Sequence, residues 1–217
     1  MDSSIIATLA SGELIIGDGA FGTMLQMAGL PAGTMPEAWN IDHPDAVRRV
    51  HELYVAAGAD YVTTNTFGAN APRLQDGGLG GRVAEVNRLA VRLAREAVDG
   101  RAWVAGSIGP TGQLIEPFGP LTVARAEELY AEQVVALAEA GVDLFVVETH
   151  HDAEEACAAV RMARKYSDLP IFCSFAFNRR GRTMMGLRPA EAARRVQEAG
   201  GNVVGANCGD GPDAVAA

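Results

Sequence analysis

What most limits the folds open to this chain is a pattern repeated along it: a short apolar run, a polar or glycine-rich turn, then a stretch of helical periodicity. Leu14-Ile15-Ile16-Gly17-Asp18 reads as the first strand. Residues 44–57 read as a helix with Val47, Val50, Leu53, Tyr54 and Ala57 on one face, and Gly58 stands where a left-handed cap is wanted. Tyr61-Val62-Thr63-Thr64 is the second strand, followed by a helix over residues 82–99 that Gly100 closes, with Val86, Leu89, Leu93 and Ala97 inward. Residues 103–108 form a strand ending in Gly109-Pro110-Thr111, and Thr122 caps a helix that runs to Ala140 and stops at Gly141. The fourth strand spans residues 143–148, and Asp152 with Glu155 makes a D-x-x-E capping pattern for the next helix. Residues 170–175 are the fifth strand, Pro189 opens a short helix that Gly200 ends, and residues 202–207 are the sixth strand. That strand delivers Cys208 to a break in the backbone, Gly209-Asp210-Gly211-Pro212.

The strands lack polar alternation, as expected when other layers cover both faces. Repeated βα units imply parallel pairing through right-handed crossovers. An open doubly wound sheet and a (β/α)8 TIM barrel both fit. The barrel is favoured because the functional-looking residues gather at the carboxyl ends of several strands and not at one switch point. The chain carries about the first six βα units of such a barrel, which needs eight in about 250 residues. At 217 residues it fits one domain over 1–217 better than two small ones.

A net charge of −9 with a pI near 4.9 argues against binding nucleic acid, since no stripe of Lys and Arg faces a phosphate backbone. Three scattered cysteines make no disulfide framework, so the expected compartment is the reducing cytoplasm. The start, MDSSIIATLASGE, has neither a cationic leader nor a long apolar run, so no signal peptide or membrane anchor is expected.

Several residues then stand out as chemistry. GDGAFG, residues 17–22, matches the dinucleotide fingerprint and raises the alternative of a nucleotide-binding oxidoreductase. Against it, Asp18 puts a carboxylate where pyrophosphate needs donors, Pro31 interrupts the following helix, and no acid ends the next strand for a ribose. A tight turn under a small polar ligand is the favoured reading. Gly77-Gly78-Leu79-Gly80-Gly81 precedes a helix and reads as a surface loop. Glu148 finishes an apolar strand, a placement suited to gripping a substrate ammonium or to an ion pair in the rim. Thr64, Asn65 and Thr66 offer neutral hydrogen-bonding groups, while Phe21 and Phe67 wall an apolar group or pack in the core. His150 and His151 are conceivable zinc ligands or mere loop residues, and Cys157 and Cys173 read as buried hydrophobes. Cys208 is left open between a site thiol and an inert one.

GDGAFGTMLQ, PEAWNIDHPDAVRRVHELYVAAGADYVTTNTFGAN, VAGSIGPTG, GVDLFVVETHHDAEEA and VGANCGDGP together resemble the homocysteine S-methyltransferase family, in order and across essentially the whole chain. That family includes the homocysteine barrel of cobalamin-dependent methionine synthase and betaine–homocysteine methyltransferase. The resemblance implies a TIM barrel that transfers a methyl group to the thiol of homocysteine, forming methionine, with Zn2+ on three thiolates. Cys208 matches the first thiolate, and the paired-cysteine segment that carries the other two has no counterpart in this sequence. Asp18, Gly19, Thr64 and Glu148 match positions that hold the amino acid moiety; Phe21 and Phe67 match less closely. The methyl donor implied is methylcobalamin, betaine, S-methylmethionine or S-adenosylmethionine, and a corrinoid or folate module or a complementing subunit is a possible partner. The expectation is a fragment of a longer protein; the alternative is a non-catalytic partial barrel that binds an amino acid or a partner.

Overall fold

Five strands lie side by side in the order in which the chain makes them, all parallel, in the computed structural model, which describes residues 5–211 and Val215. They are β1 (Tyr61–Thr63), β2 (Trp103–Ile108), β3 (Leu144–His150), β4 (Ile171–Phe175) and β5 (Val203–Ala206). The helices between them are α5 (Ala71–Asp76), α6 (Val83–Val98), α7 (Val123–Ala140), α8 (Ala153–Tyr166) and α9 (Pro189–Ala199); α1 (Ile5–Ala10), α2 (Phe21–Met27), α3 (Trp39–Asp42) and α4 (Pro44–Ala56) precede β1. Sequential order with helical crossovers, two helices between β1 and β2 and one in each later crossover, is the winding of a (β/α) barrel, here as an arc. Val104, Ile108, Phe145, Val147, Ile171, Cys173 and Phe175 point outward to pack under α6, α7 and α8, and form the main core.

The expected first strand is the largest departure. Only Gly17 bridges Tyr61, with Asp18 N–H donating to the Tyr61 carbonyl and Asp60 N–H to that of Ile16. A strand hydrogen-bonded along one edge alone is weakly held, and Leu14 and Ile16 are 91% and 61% exposed. It still lies beside β1 as a sixth member of the arc, and glycine lets it approach closely there, because a Cβ on Gly17 would stand 2.4 Å from the Tyr61 ring. At the other end β5 is only half-buried.

The helices follow their punctuation with two corrections. In α4 the buried face is Val47, Val50 and His51 with Tyr54 partly covered, while Leu53 is exposed and Ala57 lies beyond the helix, also exposed. His51 takes the inward place expected of Leu53, on the Val47 face of the helix where Phe21 of α2 packs against its ring. In α8 only half of the capping box forms: Asp152 Oδ1 accepts from Glu154 N–H at 2.8 Å, but Glu155 does not reach back. Its carboxylate is buried and accepts from Thr111 N–H at 2.8 Å, the Thr111 hydroxyl at 2.6 Å and the Tyr130 hydroxyl at 3.1 Å. Three donors outweigh one backbone cap. The Thr122 cap forms as expected, and Gly141 and Gly200 take left-handed caps. Short helices α1, α2 and α5 carry too few turns to show a period. Pro212 and residues 1–4 lie outside the described residues.

Candidate active site

All strands being parallel, their carboxyl ends and following loops share one face, where a cavity of about 1050 Å³ opens. Asp18, Gly19, Phe21, Thr64, Phe67, Glu148 and Cys208, named from sequence, all line it. His150 and His151 do not line it. His150 is fully buried beside the Tyr130 ring, and burial pushes its imidazole down to about 3, a neutral packing group.

Asp18 is fixed by β1: Thr63 N–H donates to Oδ2 at 2.8 Å and the Thr63 hydroxyl to Oδ1 at 3.0 Å. Burial raises its carboxyl to about 7 against the pull of these bonds, and the charge of Glu148 adds to the rise. Burial also raises Glu148, opposed by the Ser107 hydroxyl, which donates to Oε1 at 2.7 Å. Two acids thus face one cavity, each disfavoured as an anion until a cation arrives. The carboxylate in GDGAFG therefore makes that turn acidic, unsuited to pyrophosphate.

Thr64 lines the cavity with its hydroxyl already engaged, shared with Thr66 Oγ1 at 2.6 Å and accepting from Ser107 N–H at 3.1 Å. A third lining carboxylate, Glu37, lies under the outer wall, accepts from Gly68 N–H, and is raised chiefly by burial, with Arg73 opposing. Arg73 is the one Lys or Arg among the lining residues.

Cys208 is exposed, whereas Cys157 and Cys173 are buried thiols pushed up by burial. Its backbone is left-handed at φ 54, and so is that of Thr149 at φ 61, unusual for a β-branched residue. Glu148 and Thr149 together face the single residue Ser174 across a shift in the β3–β4 register, a bulge that turns both toward the cavity. One side chain fastens this corner. Asn207 Oδ1 accepts from Thr149 N–H at 3.1 Å and the Ser174 hydroxyl at 2.9 Å; its Nδ2 donates to Thr149 Oγ1 at 2.7 Å and approaches Cys208 Sγ at 3.4 Å. Neither Ser107 nor Asn207 stood out in the sequence as a site residue. The only available signal was their place at strand ends beside Gly109 and Cys208.

Among the described residues no three His, Cys, Asp or Glu side chains lie close enough to hold a metal ion. These residues alone therefore do not compose a zinc site. The turn after the thiol is tightly built: a Cβ on Gly209, at φ +67, would lie 2.1 Å from the Phe177 carbonyl oxygen. Gly209→Ala should cost at least roughly 2 kcal/mol, read as a lower urea midpoint, and displace Cys208 with it. An unchanged midpoint would mean the turn is not held as described.

The family model for homocysteine S-methyltransferase matches residues 15–217. Methionine synthase of Mycobacterium tuberculosis is 30% identical over 97% of this chain, which covers 19% of that protein. S-methylmethionine–homocysteine S-methyltransferase BHMT2 of Pongo abelii is 35% identical over 96% of this chain, covering 55% of its own length. The chain thus spans between a fifth and about half of these relatives. The crystal structure of the homocysteine methyltransferase MmuM of Escherichia coli, metallated form, superposes with a TM-score of 0.81 at 23% identity, covering 94% of this chain and 77% of that one. That likeness bears on the fold, a TIM barrel of which this chain supplies an arc. No helix among the described residues is long and apolar enough to cross a membrane.

Proposed function

This chain belongs to the homocysteine S-methyltransferase family, and from that premise we propose that residues 1–217 form the homocysteine-binding barrel domain of an enzyme that methylates the homocysteine thiol to methionine. The observation that carries the reading is the facing of Asp18, Glu148 and Cys208 into one cavity. In this reading the two carboxylates grip the substrate ammonium and Gly19 and Thr64 bound the backbone of the amino acid. Phe21 and Phe67 flank its methylene chain, and the sulfur extends toward Cys208. A homocysteine thiol, like that of cysteine, ionises near 8.5, so only a few per cent is nucleophilic at neutral pH. The chain's contribution is to hold that sulfur in line with a donor methyl carbon; the C–S bond forms as the donor's bond breaks, and the thiol proton passes to solvent. Zinc enters the proposal only through Cys208, an exposed thiol of the kind zinc takes as one ligand.

For the donor we propose a sulfonium or quaternary ammonium compound, such as S-methylmethionine or betaine. The carboxyls of Asp18, Glu37, Asp76 and Glu148 line the cavity against the single guanidinium of Arg73, a lining that favours a cationic donor. A corrinoid partner, suggested by the likeness to methionine synthase, is the second reading. The test is methionine formation with each donor in turn, beside calorimetric titration with L-homocysteine. Saturable homocysteine binding with turnover on an onium donor is expected. Turnover on methylcobalamin alone would reverse the donor assignment, and tight binding of a nicotinamide nucleotide without homocysteine binding would overturn the whole.

A further inference from the structure

We propose that Ser107, on the neighbouring strand, is a positioning residue that sets Glu148 for the ammonium of its substrate; the inference rests on the reading of Glu148 just given. The hydroxyl donates to Glu148 Oε1 at 2.7 Å, and Ser107 is 2% exposed, so water does not compete for that proton. Its backbone is held on both sides. Ser107 N–H donates to Thr64 Oγ1 at 3.1 Å, and its carbonyl accepts from the Thr66 hydroxyl at 2.7 Å. Gln133, inside α7, donates to the Thr66 carbonyl at 2.8 Å and ties the same loop to the helix layer. The serine is therefore a fixed donor on a rigid strand, and the flexible partner is the glutamate.

The two carboxylates divide the work unequally. Both oxygens of Asp18 are already taken by Thr63. Glu148 accepts one hydrogen bond among the described residues, at Oε1, which leaves Oε2 for an incoming N–H donor. A carboxylate fixed through one oxygen and open at the other has its direction set before substrate arrives. Without the serine hydroxyl it would rotate, and in a buried site it would lose the one side-chain donor that offsets the cost of its charge.

The test compares L-homocysteine with 4-mercaptobutyrate, the same chain without the amino group, by calorimetric titration of the full protein. Ser107→Ala should weaken homocysteine about tenfold, the scale of one hydrogen bond to a charged group, and change 4-mercaptobutyrate less than about twofold. Ser107→Thr, which keeps the hydroxyl, should restore most of the loss and show that the alanine effect is not misfolding. Equal weakening of both ligands by Ser107→Ala would mean packing alone and overturn the inference. So would unchanged homocysteine affinity in Ser107→Ala while Glu148→Gln is impaired. If Glu148→Gln binds homocysteine normally, the reading of Glu148 itself fails and this inference falls with it.

Discussion

Glu148→Gln is expected to bind homocysteine roughly tenfold to a hundredfold more weakly than the parent chain, with its fold unchanged. The glutamine is the same size and still accepts the Ser107 hydroxyl through its carbonyl oxygen. What it loses is the charge. A hydrogen bond between an ammonium and a carboxylate is worth about 1.5–3 kcal/mol more than none, and each 1.4 kcal/mol is a decade of affinity. Partial burial amplifies the difference, because water and salt screen a partly buried pair less than an exposed one. Calorimetry gives the affinity, and a thermal melt checks that the empty protein is no less stable. Equal affinity would remove Glu148 from the substrate site.

The second large effect is a pair of opposite changes in Asp18→Asn: a more stable protein that holds its substrate less well. The carboxyl of Asp18 sits at about 7 in the folded chain against an ordinary 3.8. Between those values the folded state keeps a proton that the unfolded state has lost. Stability from this group therefore falls as pH rises from about 4 to about 7, by on the order of a few kcal/mol in all. Asparagine removes that penalty and can still serve Thr63, accepting its N–H and donating to its hydroxyl oxygen. At pH 8 the variant should melt several degrees higher than the parent, and the gain should vanish near pH 4. Homocysteine binding shows the converse. In the parent it should strengthen between pH 6 and pH 8 as Asp18 ionises, and in the variant that slope should be lost. A parent affinity flat across that range would mean Asp18 does not face the ammonium. Stability given up for a charged site is a familiar trade.

Local grammar made much of this fold legible. Thr122, Gly141, Gly200 and Pro189 mark helix ends by their own backbone chemistry, which needs no knowledge of distant residues. The cavity residues were legible for a related reason: Asp18, Thr64 and Glu148 are the polar residues that close apolar runs, and each lies at or near the carboxyl end of its run in the fold. What escaped depended on partners far along the chain. Glu155 reads as a capping residue until Thr111 and Tyr130 come near it. His51 replaces Leu53 inward because of how α2 packs on α4, where Phe21 meets the imidazole ring at 4.7 Å. Ser107 and Asn207 act through bonds across strands, whose register no local pattern encodes. The first strand reads as regular from its composition, but a strand is defined by its neighbours, and this one has a single bridge.

The amide of Asn207 has spent its whole bonding capacity, two donors given and two acceptances taken, on three different strands' ends. No other side chain offers that set at that length. Aspartate lacks the donors, serine falls short, and glutamine overshoots by a methylene. The position next to the exposed thiol therefore has no synonym in the protein alphabet, and variation around this corner should be absorbed by the residues it touches before it reaches Asn207 itself.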